Sequence, residues 1–441
     1  MQQPTSKTLP FKAPWYALVK ASISSSAAAS LTRRKLAVAS LATLFLSSSI
    51  AAAPTYSWHG HHSRHASHQA KREDATKHKL HGVKQSVIEG YIIQNENGDV
   101  LQSNNADVLF NPASCLKLAT SYMVLSKYGP NGAFPTEAFT SGPIDEKGEV
   151  QGNLYVMGAN PLFSSAQAEQ LVKSLNAKGI TSVKGDLIVS KDFQLNIGAT
   201  GEDAARQLRG IMEGHVRRRR HRHAVVYSAH VHVTGHTKCG DLPGESTLVA
   251  SHDSPKLHEI LKVMLCYSHN GMAENLGNMM GGPKAVADFI VEDLGLDKDE
   301  VKFSSSSGLG VNRITPKAMS KVLVALRDEL KDNNMTLADI LPVAGIDPGT
   351  LEHRFTAAAV RGTVVAKTGT LPDTDRGVSA LAGEMKTQND GTLTFVIFEQ
   401  HGSVNRFRRR QEELVALVQR DHGGPSKIDY EQKPLIAHLH H

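Results

Sequence analysis

Three cysteines in 441 residues are too few to staple a fold together, so this chain has to bury a conventional core. No acidic residue occurs in the first 53 positions, no apolar run reaches the ~20 residues that comfortably span a bilayer, and no internal repeat is evident. Among the histidines of residues 54–84, no spacing matches an ordered metal-ligand set. What is present suits a large globular protein. Hydrophobic residues make up 40% of the chain and charged ones 21%, which excludes wholesale disorder. The length predicts two or three domains.

The net charge of +6, from 49 Lys and Arg against 43 Asp and Glu, invites a nucleic-acid reading until it is located. Lys7, Lys12, Lys20, Arg33, Arg34 and Lys35 all lie within residues 1–53. Removing those six leaves 43 bases against 43 acids, so the rest of the chain is neutral. Arg33-Arg34-Lys35 precedes an apolar stretch from Leu36 to Ile50 and the small residues Ala51-Ala52-Ala53, the layout of an export signal. Residues 1–53 are therefore expected to carry the protein to the periplasm or cell envelope. Residues 54–84, with His59, His61, His62, His65, His68, His78 and His81, read as a solvated linker.

Order is predicted from about residue 85. Two short strands flank the Asn97-Gly98 turn, and a helix starts at Pro112 with Leu116, Ala119, Met123 and Val124 at helical spacing. Glycine-punctuated segments from 129 to about 195 predict a small mixed α/β unit with a helix over 166–176. Residues 200–245 are poorly patterned and contain the basic run Arg217–Arg222. Helices are predicted over 257–266, 273–279, 284–294 and 316–330. Strands are predicted over 363–366, 378–385 and 393–398, and a closing helix over 409–419. Consecutive strands packed with helices imply an α+β main domain built on an antiparallel sheet. The expected organisation is a main domain of residues 85–128 and 250–425, an inserted domain of 129–249 and a tail of 426–441.

Three short motifs carry chemistry. Ser114-Cys115-Leu116-Lys117 sits at a helix start, where positions i and i+3 share a face, so the lysine amine reaches the serine hydroxyl. A lysine with a depressed pKa, whether from burial or a neighbouring cation, is able to act as the base that turns serine into a nucleophile. Ser268-His269-Asn270 precedes a helix carrying Ala273 and Glu274. Lys367-Thr368-Gly369 is placed at the end of the 363–366 strand, where a substrate backbone pairs along the edge and the charge and hydroxyl meet a carboxylate. Ser-x-x-Lys, Ser-x-Asn and Lys-Thr-Gly in that order form the signature of penicillin-binding proteins and serine β-lactamases.

Within that superfamily the chain resembles the D-alanyl-D-alanine carboxypeptidase/endopeptidase family of penicillin-binding protein 4, from about Ser86 to Arg420. The likeness includes Asn111-Pro112-Ala113-Ser114, Gly152-Asn153-Leu154-Tyr155-Val156, Gly185-Asp186-Leu187 and Ser307-Gly308-Leu309. It continues through Arg313-Ile314-Thr315-Pro316, Gly349-Thr350-Leu351 and Ala366-Lys367-Thr368-Gly369-Thr370-Leu371. The chain departs from the family at Ala159-Asn160-Pro161, where Gly-Asp-Pro is usual, and at His269, often Asp.

The resemblance implies a serine β-lactamase/transpeptidase-like main domain with a smaller mixed α/β inserted domain. It implies acyl transfer on peptidoglycan stem peptides, with β-lactams as inhibitors and neither metal nor organic cofactor. Ser114 is the implied nucleophile, Lys117 its base, Ser268 a proton relay and Asn270 an orienting group. Lys367, Thr368, Gly369 and Thr370 are the implied substrate-binding residues, with the N–H groups of Ser114 and Thr370 as the oxyanion hole. Alternatives are a β-lactamase-like serine hydrolase and a non-catalytic cell-wall-binding protein. The first is weakened because no Glu-x-x-Leu-Asn lies between the second and third motifs. Nucleic-acid binding at Arg217–Arg222 is set aside in favour of an anionic envelope polymer. The choice between carboxypeptidase and endopeptidase, the pairing of Cys239 with Cys266, and the oligomeric state stay open at this level.

Overall fold

The computed structural model describes residues 88–158, 160–196, 198–214 and 229–435. The export leader, the His-rich linker and Arg217–Arg222 fall outside these residues. The main sheet has five strands: β1 (Glu89–Gln94), β2 (Val100–Asn104), β3 (Val364–Leu371), β4 (Val378–Lys386) and β5 (Thr392–Gln400). Their spatial order is β3-β4-β5-β1-β2, antiparallel throughout. The β1–β2 hairpin closes on the expected Asn-Gly turn, where Gly98 takes φ +87° and its N–H bonds the Asn95 carbonyl at 3.0 Å.

Helices α1 (Lys117–Tyr128), α2 (Leu257–Cys266), α3 (Asn270–Met279), α4 (Pro316–Lys331) and α5 (Val404–Asp421) surround the sheet. β4 and β5 are buried along almost their whole length, so both sheet faces must be covered. Side-chain alternation sorts the faces. Leu381, Met385, Phe395 and Ile397 share a core with Val415 and Val418 of α5, together with Val364 and Ala366 of β3. Ala380, Ala382, Val396 and Phe398 point the other way and are equally buried, and α4 packs against β1, β4 and β5.

Two elements differ from the sequence expectation in ways that matter below. β3 does not stop at Ala366; its ladder with β4 runs unbroken to the Leu371–Val378 pair, so Lys367-Thr368-Gly369 lies inside the strand. Lys and Gly are weak strand signals by themselves, and the pairing partner overrides them. The closing helix begins at Val404, five residues earlier than the apolar spacing indicated, and so takes in the polar stretch up to Arg408.

Residues 136–252 build a second, mixed five-stranded sheet in the order Thr237–Cys239, Leu187–Val189, Leu154–Met157, Thr136–Thr140, Thr247–His252. Helices Ser165–Ala177 and Gly201–Met212 pack with it. Ser164 caps the first of these: its hydroxyl accepts from the Gln167 N–H, and the Gln167 side chain accepts from the Ser164 N–H at 2.8 Å. Val156, Leu171, Leu175, Leu187, Leu208 and Val231 belong to a core whose buried members all come from residues 138–250.

The end of the described chain runs back along the body. The Ile428 N–H bonds the Gly362 carbonyl and Gln432 bonds the Ile346 carbonyl. The Tyr430 hydroxyl donates to Asp347 Oδ1 at 2.8 Å. Asp347 is fully buried, and its Oδ2 accepts from Lys262 Nζ at 2.7 Å and from the Val343 N–H at 2.8 Å. Lys262 Nζ also donates to the Ala338 and Leu341 carbonyls and sits 4.7 Å from the Tyr430 ring centre. Removing one partner of a buried ion pair leaves an uncompensated charge, which costs about 3–5 kcal/mol. Asp347→Ala is therefore expected to lower unfolding stability by that amount in a urea titration. Adding Lys262→Met should recover part of the loss; no recovery would mean the charge is not what the first substitution orphans.

Candidate active site

Ser114 sits in a 3-10 turn, Ala113–Leu116, that leads directly into α1. The turn is held from outside. The Ala113 N–H bonds Asn111 Oδ1 at 3.1 Å, and Asn111 Nδ2 donates to Asp375 Oδ2 at 2.8 Å. Asp375 is clamped in turn by both terminal nitrogens of Arg313, at 2.8 and 3.0 Å. Ala113 takes φ +44°, an uncommon conformation for a residue with a side chain. Two glycines let neighbours close on it. A Cβ at Gly308 would lie 1.9 Å from the Ala113 carbonyl, and one at Gly369 would lie 2.6 Å from the Pro112 carbonyl.

Lys117 is fully buried one helical turn on. Its Nζ lies 3.0 Å from Ser114 Oγ, 2.8 Å from Asn270 Oδ1 and 2.7 Å from the Ser307 carbonyl. Burial, and then the nearby Lys367 charge, bring its pKa down to about 6, so the amine is largely neutral at pH 7. A neutral amine keeps two hydrogens and one lone pair. Asn270 Oδ1 and the Ser307 carbonyl can only accept, so they take the hydrogens and the lone pair is left for the Ser114 hydroxyl. The Ser307 carbonyl is itself fixed: Glu274 accepts from the Ser306 and Ser307 N–H groups at 3.1 and 3.0 Å, and Thr120 donates to the Ser306 carbonyl at 2.7 Å.

The second motif bridges α2 and α3. Ser268 takes φ +56° in the corner between them, and Asn270 opens α3. His269, where the family often has Asp, is half-buried and caps α3, its Nδ1 accepting from the Met272 N–H at 3.3 Å. Burial, and then the nearby Lys117 amine in its charged form, lower its pKa, which favours the neutral ring that accepts this bond.

The third motif places its residues alternately. Lys367 points to the Ser114 side of β3 and is fully buried; its Nζ donates to Ser268 Oγ at 2.9 Å and to the Thr368 carbonyl at 2.6 Å. Burial lowers its pKa to about 8. Thr368 and Thr370 face the α5 side, and among the described residues the Thr368 hydroxyl has no hydrogen-bond partner. Ser114, Ser268, Asn270, Thr368 and Thr370 line one cleft of about 640 Å³, with Gly349 and Thr350 on one wall and α5 residues on another. All eight residues singled out from the sequence thus converge, Lys117, Lys367 and Gly369 from behind the cleft surface. Glu274, Asp375 and Thr120 were not singled out for a role; their partners are 32 to 264 positions away, beyond the reach of any local pattern.

The cysteines are free thiols. Cys115 is buried against the Lys367 carbonyl, 3.2 Å from Sγ, and burial pushes its pKa up to about 12. Cys266 is buried with its pKa likewise near 12, and it is not paired with Cys239.

Residues 73–195 and 225–420 match the D-Ala-D-Ala carboxypeptidase 3 (S13) family. Among curated proteins, a D-alanyl-D-alanine carboxypeptidase from Actinomadura is 24% identical over 431 residues, covering 72% of this chain and 78% of the relative. A D-alanyl-D-alanine carboxypeptidase, DacB, from Haemophilus influenzae is 31% identical over 170 residues, 35% of this chain and 34% of the relative. The fold is shared with a predatory endopeptidase from Bdellovibrio bacteriovorus, with TM-score 0.66 at 21% identity over 79% of this chain and 97% of that one. It is also shared with penicillin-binding protein 4 from Haemophilus influenzae, with TM-score 0.57 at 20% identity over 74% and 96% of the two chains.

Proposed function

The chain belongs to the D-Ala-D-Ala carboxypeptidase 3 (S13) family, and from that premise we infer a serine D,D-peptidase that cleaves peptidoglycan stem peptides and is acylated by penicillins. The observation that carries the assignment of roles is the seating of Lys117 Nζ between two fixed acceptors and Ser114 Oγ. Lys117 takes the proton as Ser114 Oγ attacks the carbonyl carbon between two D-alanines. The oxyanion is received by the N–H groups of Ser114 and Thr370. Ser114 stands near the start of a helical turn, where N–H groups lack intrahelical partners, and β3 is an edge strand whose alternate N–H groups, Thr370 among them, do not pair with β4. Each such donor is typically worth about 3–4 kcal/mol in the transition state.

Collapse of the tetrahedral intermediate breaks the C–N bond. The leaving amine takes the hydroxyl proton of Ser268, which Lys367 Nζ replaces through its 2.9 Å bond. Water then attacks the acyl-enzyme by the same route in reverse: its proton passes through Ser268 Oγ to the now neutral Lys367. Lys117 returns its proton to Ser114 Oγ as the ester C–O bond breaks, which restores both amines to their starting states. A β-lactam enters the first step and forms the corresponding ester on Ser114.

A peptidoglycan substrate puts the working protein in the cell envelope, and we take residues 1–53 as the export signal that delivers it. Among the described residues no helix is long and apolar enough to cross a membrane. We also take residues 85–128 and 250–425 as the catalytic domain and 129–249 as an insertion, a reading supported by the separate core of residues 138–250. The deciding experiment incubates purified protein with a pentapeptide ending in D-Ala-D-Ala and with cross-linked muropeptides. Stoichiometric D-alanine release, cleavage of the cross-link, or both is expected, and which of them occurs defines the preference. Neither product, from protein that is folded, would overturn the assignment.

A further inference from the structure

The KTG lysine is poorly placed to meet a substrate carboxylate. Lys367 is fully buried, and its amine is held by Ser268 Oγ and the Thr368 carbonyl. The exposed positive charge at that end of the cleft comes from α5 instead. Arg408 and Arg409 both line the cleft, and both are solvent-exposed. Their neighbours are engaged elsewhere: Arg354 with Glu412 at 2.6 Å, Arg410 with Glu89 and Glu399. Among the described residues neither Arg408 nor Arg409 has a carboxylate partner, and the one acid in the cleft lining, Glu412, is held by Arg354.

Arg408 is more than a solvated charge on a helix, because the fold fixes its position against β3. One turn further along α5, the buried Gln411 donates to Ser379 Oγ at 3.0 Å and to Glu399 Oε2 at 3.1 Å. Ser379 is the ladder partner of Thr370. Near the other end of the helix, Gln419 donates to Thr363 Oγ1 at 3.1 Å. Pinned at these points, α5 brings Arg408 Nη2 to 3.1 Å from Thr370 Oγ1, to which it donates. A hydroxyl that accepts from a guanidinium has its own hydrogen free to point elsewhere. Thr370 and the unpartnered Thr368 hydroxyl then present two O–H donors to the cleft, with a guanidinium behind one of them, an arrangement suited to a planar carboxylate.

We propose that Arg408 is the residue that makes this cleft select a free carboxylate on the leaving residue, with Arg409 adding to the field. The proposal rests on the D,D-peptidase reading above and assigns to α5 a specificity role that the three motifs do not contain. Its test compares two peptides identical except for the last group, one ending in D-alanine as the free acid and one as the C-terminal amide. The acid-to-amide ratio of kcat/KM should fall about 10- to 100-fold in Arg408→Gln, the range for losing a hydrogen bond to a charged group. Arg408→Lys, which keeps the charge and loses the planar fork, should restore part of that ratio. A general disturbance of α5 would lower both substrates together and leave the ratio as in the wild type, which would overturn the proposal. An unaltered ratio with unaltered rates would overturn it too. If the wild type cleaves neither peptide, the inference falls together with the function it rests on.

Discussion

Ser114→Ala protein will take up no fluorescent penicillin and will release D-alanine on the order of 10⁶-fold more slowly than wild type, the scale of loss when an activated nucleophile is deleted. The size of the effect follows from what surrounds the site. Ser114 Oγ is the hydroxyl that the Lys117 lone pair reaches, and Ser268 Oγ is committed to Lys367 at 2.9 Å. Among the described residues no second nucleophile stands ready to inherit the reaction. The substitution is also structurally mild, because Ser114 Oγ makes its side-chain contact with Lys117 and the turn is fixed by Asn111 and Asp375. Thermal melting of the variant should therefore match wild type, so loss of label reports chemistry and not unfolding. Label that survives the substitution would place the acylated residue elsewhere.

Lys117→Met is the second large effect, a loss of roughly 10²–10⁴-fold in acylation, as expected for removing a positioned general base. Its pH dependence separates this role from simple packing. In the proposed mechanism the free amine of Lys117 is the working form, and its pKa is near 6, so the wild-type rate should rise as pH passes through about 6. The same mechanism uses the ammonium of Lys367, whose pKa is near 8, so the rate should fall as pH passes through about 8. The wild-type profile of kcat/KM is then a bell with limbs near 6 and 8. In Lys117→Met the acid limb should disappear from the residual rate while the alkaline limb stays. An acid limb that persists in the variant would assign it to some other group.

Much of this site was legible before any coordinates. Ser114 and Lys117 sit three apart at a helix start, and that spacing alone puts the amine on the hydroxyl. Ser268-x-Asn270 before a helix, and Lys367-Thr368-Gly369 beside a β run, gave the other two corners. What stayed hidden were contacts made by distant partners. Nothing local marks Glu274 as the group that holds the Ser307 carbonyl against Lys117, or Asp375 as the hinge between Asn111 and Arg313. The two boundary differences have a common cause. Apolar periodicity ends β3 at Ala366 and starts α5 at Arg409, yet both elements continue through polar residues because the neighbouring strand and the buried Gln411 hold them. Those polar extensions are where Thr368, Thr370 and Arg408 meet. The resemblance assigned carboxylate binding to Lys367 from its position in the motif, but burial, which sequence does not give at a single residue, turned its amine toward Ser268.

Cys115 has a bearing on which reagents this protein tolerates. It is the chain neighbour of the proposed nucleophile, yet its thiol faces inward to the Lys367 carbonyl, with a pKa near 12. Alkylating agents and peroxides act on the thiolate, which is essentially absent there at neutral pH. Soft electrophiles thus pass residue 115 by, and strained acyl donors find residue 114. Iodoacetamide and hydrogen peroxide should leave penicillin uptake intact, and an oxidising envelope poses no threat to the residue beside the active serine.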